Sequence, residues 1–528
     1  MKTEILIDFN RDGGFDHPNS NVSAKVRDSL FFSGGWFNVG QVESNVAAHI
    51  SPVNSMRFIL MNEDRMFSFE YGNAELYNLL HSGLMAKLIV THNGISHSFT
   101  YFTQSVKESV GEFGDHLVIV DCVCAMPRIQ ATNYEPEVKR NKTTDEALTI
   151  MLESADLLLP YTSDYFYIDV DEIDSTTSIF DPDTHVPLMI DYETGYTEMD
   201  YVGDILYRDR KGISVQKMQL FIADMCMAEA YGRFFYQPRD GKLHFHNRYH
   251  DKLQATSLTL DSGEYISGDP VTTPVFNEIR MHYQAREQGS AGSELFDSKA
   301  VPITLEADAE LEIKVKFADP NDKRVPVSAI TIIDPVPNSD IQVTLGGGNV
   351  AGQVYQSADL KGAGGTIYFH NQTGFAVSID QIKVRGTPIT LPEPDIAEAV
   401  SASSTVQYNK QVLPDLKGTY ITDAELAQNV VNFLLERHKT MHRVLESVSM
   451  IVTDENFVDI MSVTIGDVVQ IRDDWSSHDT EYVVVGEAHS YDIPRDVWRV
   501  QWFLRSNDTT PYFIIDTSAI DGSDIIGY

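Results

Sequence analysis

His244 and His246 stand two apart in "KLHFHNR" (Lys242–Arg248), with His250 shortly after, and this is the first spacing in the chain that invites chemistry. On a strand, alternate residues share a face, so the two imidazoles would project together, opposite Phe245. Two histidines can begin a zinc site, but zinc takes at least three protein ligands, and His250 falls past the expected strand end. The ligand count favours an ordinary strand face open to solvent. The acidic run "DVDEID" (Asp169–Asp174) could attract a divalent cation, yet it lacks the glycine and the closing bidentate glutamate of an EF-hand loop, so it reads as an exposed acidic turn. Cys122 and Cys124 in "LVIVDCVCAM" are two apart on a strand and cannot build a metal cage alone; with Cys226 they read as small buried hydrophobes.

Other chemistries fare no better. The glycine runs "LGGGNV" (Leu345–Val350) and "KGAGG" (Lys361–Gly365) lie between expected strands, whereas a phosphate cradle needs a strand before it and a helix N-terminus after it. No G-x-S-x-G, H-E-x-x-H or Walker lysine occurs. A carboxylate pair for glycoside hydrolysis is a tertiary arrangement, and nothing in the sequence selects one. Asn141 and Asn371 head Asn-x-Thr triplets, which carry little weight without a secretory signal. No catalytic, cofactor-binding or metal-ligating residue is assigned, and no cofactor is expected.

The elements around these residues follow from pattern. "GRFFYQPRDGKLHFHNR" (Gly232–Arg248) reads as two short strands joined by Arg239-Asp240-Gly241. A helix should precede it from near Ser214, with a stripe of Val215, Met218, Phe221, Ile222, Met225 and Cys226 and a stop at Gly232. A second helix opens at Thr143 or Thr144 as N-cap, with acids in its first turn. Before residue 130 the chain is strand-like: "SMRFILMN", "AKLIVTHNGISHSFTYFT" with its Asn93-Gly94 hairpin turn, and "HLVIVDCVCAM". Residues 300–392 show strands at regular spacing, arguing a β-sandwich. "LPEPDIAEAVSASS" then reads as a linker, and "ITDAELAQNVVNFLLERHKT" as a helix with a capping box at Thr422 and Glu425. The strands "ESVSMIVT", "VVQIRDD", "EYVVVGEAHSYD" and "DVWRVQWFLRS" close the fold, and an apolar tail follows.

Composition bounds the rest. A chain of 528 residues, 42% hydrophobic, is expected to form several packed units. Three cysteines exclude a disulfide framework. No apolar run reaches the roughly 18 residues of a membrane span, and the N-terminus, with a charge in its apolar part, does not read as a secretory signal; synthesis in a cytoplasm is expected. The 77 acids against 40 bases give a net charge of −37. Such a surface does not build phosphate-backbone affinity, and it would let DNA pass along a wall without sticking.

In order along the chain, these motifs resemble the siphophage tail-tip hub family, related to the myophage baseplate hub protein. The likeness rests on Ser51–Val90 (strand, Asp-Arg turn, "LYNLL" helical turn, Gly, strand), on Met218–Arg248 (helix, Gly, aromatic strand, Asp-Gly, strand ending in Arg) and on "FNEIRMHY" (Phe276–Tyr283). It continues through "IKVRGTPI" (Ile382–Ile389), the helix before "RVLESVSMIV", and Ile465-Gly466-Asp467 with the final strand Trp498–Leu504. The histidines have no role in that likeness.

The resemblance implies a mainly β multidomain fold with α+β insertions. Two tube-like β-barrel domains would occupy 1–130 and 393–505, with a mixed α+β domain at 131–275, a returning strand segment at 276–299, an inserted β-sandwich at 300–392 and a tail at 506–528 docking on a neighbour. It further implies a non-enzymatic homotrimer at the tail tip of a virion, forming a pseudo-sixfold ring. That ring would join the tail tube and distal tail protein to a tip fibre or spike and enclose the channel for the tape-measure protein and DNA, which would pass without specific binding. In the sandwich, Tyr355, Tyr368, Phe369 and Phe375 are the aromatic candidates for a glycan platform, and a plain structural insert is the favoured reading. A tail-associated cell-wall hydrolase, a glycan-binding module, and the hub of a non-viral contractile or gene-transfer particle are the alternatives.

Overall fold

The computed structural model describes residues 2–35, 48–134 and 216–506 with short gaps, together with a few tail positions; the largest stretches outside it are 36–47, 135–147, 149–215, 247–254 and 514–524. The candidates Asn141, Thr143, Thr144, Asp169–Asp174, Val215, Met218, Phe221, Met225, His250 and Thr422 lie outside the described residues.

The fold is mainly β and multidomain, and one 12-stranded sheet organises it. Its first strands are β1 (Lys2–Ile7), β2 (Val26–Gly35), β3 (Ser55–Met61), β4 (Met85–His92), β5 (Ile95–Val110) and β6 (His116–Val123). The alternation in these segments is what a half-buried strand requires: Met56, Phe58 and Leu60 point inward from β3, Ala86, Leu88 and Val90 from β4, and Val118, Val120 and Cys122 from β6.

A short hairpin of β7 (Gly232–Gln237) and β8 (Lys242–His246) follows, in a separate sheet with the parallel strand Ala48–Ile50. The large sheet resumes with β9 (Thr256–Leu260) and β10 (Ser267–Thr272) and is completed by β11 (Arg443–Val452), β12 (Val468–Asp473), β13 (His478–Asp492) and β14 (Val497–Ser506). The strand order runs β1-β4-β5-β6-β3-β2-β13-β14-β11-β10, with β12 beside β13 and β9 beside β12. Strands from the two ends of the chain therefore meet where β2 pairs antiparallel with β13, Ser29 opposite Asp492 through Gly35 opposite Gly486.

One hydrophobic core runs across that seam, from Ile5, Phe32, Phe58 and Phe99 to Val448, Trp498 and Trp502. Each fully buried large apolar side chain contributes on the order of 1.5–3 kcal/mol. Two terminal strands of the sheet, β1 and β10, are blunted against foreign strands. On β1, Ile5 N–H donates to Ser23 Oγ at 2.8 Å and Ile7 N–H to the Ser20 carbonyl at 2.9 Å. On β10, Pro270 falls at a bulge in the pairing with β11.

Between the two ends of the chain lie two smaller assemblies. Glu278–Tyr283 pairs with Asp395–Val400 and Leu416–Gly418, and α1 (Ala424–His438) packs its Leu426, Val430, Leu434 face on them. In the sandwich, the long strand Val377–Thr390 is a spine. It takes Glu287–Gln288, Ser293–Asp297 and Ile303–Leu305 on one side and Ser328–Ile333 and Ile341–Leu345 on the other. A second sheet centred on Gly364–His370 closes a core of Val315, Val343, Ile367, Phe369 and Ile382.

Two expectations are corrected. The segment read as a linker forms the strand Asp395–Val400 and a helix, Ala402–Tyr408, capped where Ser404 N–H donates to Ser401 Oγ at 3.3 Å. The inward residues of that strand are Ala397 and Ala399, too small to stand out as an apolar pattern but the right size to sit under α1. The helix expected from Ser214 does not start there: Gln216–Lys217 is a strand paired with Asn133–Tyr134, and the described helical turns come later, at Ile222–Ala223 and Cys226–Met227.

Candidate functional site

The hairpin β7–β8 is the element that ties the chain together. Its turn depends on Gly241, at φ +79°, a conformation that L side chains rarely adopt, and Gly241 N–H donates back to the Gln237 carbonyl at 2.9 Å. Phe234, Phe235, Tyr236, Leu243 and Phe245 are all buried, so both faces of the ribbon are covered. Phe235 enters a second core with Ile465, Val468, Val483, Val485 and Phe503.

The turn itself hooks onto β5. Thr100 N–H donates to the Pro238 carbonyl at 2.7 Å, and the Tyr236 hydroxyl donates to the Thr100 carbonyl at 3.1 Å. The β2 backbone is bare where the turn arrives: a Cβ at Gly34 would stand 3.0 Å from Pro238 Cγ, and one at Gly35 would stand 2.4 Å from Gly486 Cα. Glycines are thus required at the seam for close approach as well as for the φ of +110° at Gly35.

Arg239, from the same turn, carries a charge into the seam. Its Nη2 lies 2.8 Å from Glu487 Oε2 on β13, and Nη1 donates to the Met461 carbonyl in α2 (Phe457–Ser462). Its guanidinium also sits over the Phe99 ring, 5.2 Å from the centroid. Glu487 is 1% exposed. Burial alone would push its carboxyl up, but Arg239 and His489 outweigh that and hold it at about 2.

His489 stacks flat on Phe32, ring centroids 4.3 Å apart. Trp498 Nε1–H donates to its Nδ1 at 3.2 Å, so a neutral ring carries its proton on Nε2, which lies 3.1 Å from Glu487 Oε2. Burial holds His489 below the usual imidazole range against the opposing pull of Glu487. Burial and the Arg239 charge do the same to His97. The arrangement is a carboxylate saturated by a guanidinium and an imidazole, packed between aromatic rings. These contacts join the hairpin, the N-terminal strands and the C-terminal strands.

The residues singled out from sequence lie around this seam or away from it. His244 and His246 are neighbours, rings 6.0 Å apart, but the expected solvent-facing strand is corrected: His246 is buried, and His244 packs on Phe235 with Nε2 2.7 Å from Asp240. Among the described residues no group of three His, Cys, Asp or Glu side chains could hold a metal ion. Cys122, Cys124 and Cys226 are buried and form no disulfide, and burial pushes the Cys124 thiol up to about 11. Asn371 is fully buried, its amide donating to the carbonyls of Leu305, Glu306 and Phe375. Of the four sandwich aromatics, Phe369 is in the core, Tyr355 packs against it and Phe375 is 68% exposed.

Sequence pattern places Glu487, His489 and Trp498 in closing strands and assigns them no further part. The available signal was a carboxylate inside the apolar run "YVVVGEAHSYD", a place that demands a buried counter-charge. Among the described residues no helix is long and apolar enough to cross a membrane.

No protein-family model and no curated protein matches the sequence. Solved structures do. The 43 kDa tail protein of prophage MuSo2 from Shewanella oneidensis is 7% identical with a TM-score of 0.44, the alignment covering 96% of this chain and 98% of that one. A tail protein from Neisseria meningitidis MC58 is 9% identical with a TM-score of 0.44, covering 96% and 97%. Prophage tail protein gp18 from Listeria monocytogenes EGD-e is 10% identical with a TM-score of 0.40, covering 96% of each. Each of these alignments runs over 96% of this chain.

Proposed function

We propose that this chain is the structural hub of a phage tail tip, acting by assembly and without chemistry of its own. The observation that carries the reading is the seam: strands from the two ends of the chain form one sheet over one core, locked by a hairpin from the middle. One chain thereby sets two β units side by side, about 1–130 and 393–505. Three chains around an axis then present six units, the way a threefold part can meet a sixfold tube.

In this reading 131–275 supplies the locking hairpin, 276–299 returns the chain and lends the strands Glu287–Gln288 and Ser293–Asp297 to the insert at 300–392, and 506–528 docks on a neighbour. The ring joins the tail tube and distal tail protein to a tip fibre or spike and surrounds the path of the tape-measure protein and DNA. A net charge of −37 suits a wall that DNA must pass without adhering. Electron microscopy of the purified chain, alone and with its tail-tube partner, tests the reading: class averages should show a ring with an axial channel and pseudo-sixfold inner symmetry. Compact single chains that no tail partner assembles would overturn it.

A further inference from the structure

The hairpin β7–β8 is attached to the rest of the chain by few groups. Its backbone pairs with the strand Ala48–Ile50, and among the described residues no strand of the large sheet pairs with it. Its attachments are the Phe235 core, the two bonds to Thr100, the Arg239 carbonyl, which accepts from Ser98 Oγ at 3.4 Å, and the Arg239 side chain on Glu487 and the Met461 carbonyl. The ribbon is therefore free to leave as one piece without breaking a strand pair of the large sheet.

Two histidines flank this attachment, one from each end of the chain. His489, on β13, is enclosed by Phe32, Phe99 and Trp498, with ring centroids 4.3, 5.4 and 6.0 Å away. His97, on β5, meets Phe457 of α2 edge-on at 5.8 Å, and its Nε2 is buried with no hydrogen-bond partner among the described residues. The charged groups acting on both are Arg239 from the turn and Glu487 from β13, one cation against one carboxylate. Nearby acids face other partners: Asp240 is 2.7 Å from His244, and Asp454 is 3.4 Å from His92, which also packs on Phe457. Burial raises the Tyr101 and Tyr236 hydroxyls well above their ordinary range, so they stay neutral.

We infer that mild acid releases this hairpin from the seam while the large sheet stays folded. Protons on His489 and His97 would add a second and a third cation around one carboxylate, and an uncompensated buried charge is strongly unfavourable. The cation able to withdraw is Arg239, which the hairpin carries. Glu487, held at about 2, stays ionised in mild acid and takes up no proton there. Both imidazoles are held below their usual range while the hairpin is seated, by burial first in each case. They move back toward about 6.5 once Arg239 withdraws and water enters, so the open form binds more protons and gains population as pH falls below that value. One histidine raises the open fraction by up to about tenfold between pH 7.5 and 5.5, and both together by up to about a hundredfold. Lifting the ribbon uncovers the core of Phe235, Ile465, Val483 and Phe503 and bares Gly34, against which Pro238 rests.

Hydrogen exchange of the full-length chain, read by mass spectrometry and corrected for the intrinsic pH dependence of exchange, tests this. From about pH 7.5 to about pH 5.5, protection over Gly232–His246 should fall about tenfold or more, while Ser55–Met61 and His116–Val123 in the large sheet keep theirs. His97→Gln with His489→Gln, checked for folding by circular dichroism, should keep its hairpin protection across the same range, and His97→Gln alone should lose less than the wild type. Hairpin protection that does not change with pH overturns the inference. A loss shared equally by the large sheet is global destabilisation and overturns it as well, and a full loss in the folded double variant places the titrating group elsewhere. If the double variant does not fold, His97→Gln alone decides, and a loss as large as that of the wild type overturns the inference.

Discussion

At the scale of residues, Arg239 and Glu487 decide whether the hairpin holds. Breaking a buried ion pair by removing one partner costs about 3–5 kcal/mol, because the other charge stays buried without compensation. Glu487→Gln should therefore lower unfolding stability by about that much in urea titration, and Arg239→Met by a similar amount. The two together should cost clearly less than the sum, since neither charge is then stranded; additive losses would show that the pair does not act as a unit.

The pH dependence has a definite sign. The folded-state pKa of Glu487 lies below its unfolded value, so its stabilisation is complete above about 4.5 and is lost as pH falls toward about 2. His489 and His97 are also held below their usual range, so the unfolded chain takes up protons first and stability declines as pH falls below about 6.5. Protonating His489 on Nδ1 would also set two donors face to face at Trp498. The melting temperature should fall between about pH 6.5 and 5, and His489→Gln, whose amide oxygen can accept from Trp498, should shallow that part of the curve. A wild-type melting temperature flat across this interval would contradict the assignment.

At the scale of elements, the seam needs glycine. Gly35→Val would place a Cβ 2.4 Å from Gly486 Cα on a backbone with φ +110°, and it should destabilise by well over the ~1 kcal/mol of a strained but uncrowded site. Protease cleavage within the hairpin, protected in the wild type, should become fast in this variant; unchanged protection would mean that hairpin docking does not depend on the seam.

The hairpin was legible in the sequence because Asp240-Gly241 divides two aromatic strands, a local signal. Its burial was not, because the residues that cover it, Ile465, Val483 and Phe503, are remote in sequence. The same holds for β2 and β13, each readable as a strand, while their pairing belongs to the tertiary fold. Asp395–Val400 was missed for a different reason: small inward alanines beside a proline-rich stretch carry little hydrophobic signal, and the strand exists because Glu278–Tyr283 offers it a partner.

At the scale of the whole molecule, one chain folds its two ends into a single sheet and holds them with its middle, which is what a ring-building subunit needs for rigid, repeatable angles. The most direct measurement is the mass of the purified full-length chain by light scattering at low salt over a range of concentrations. The hub account predicts a species near three times 59.2 kDa. A stable single chain of 59.2 kDa at every concentration, unchanged by adding the tail-tube protein, would contradict it.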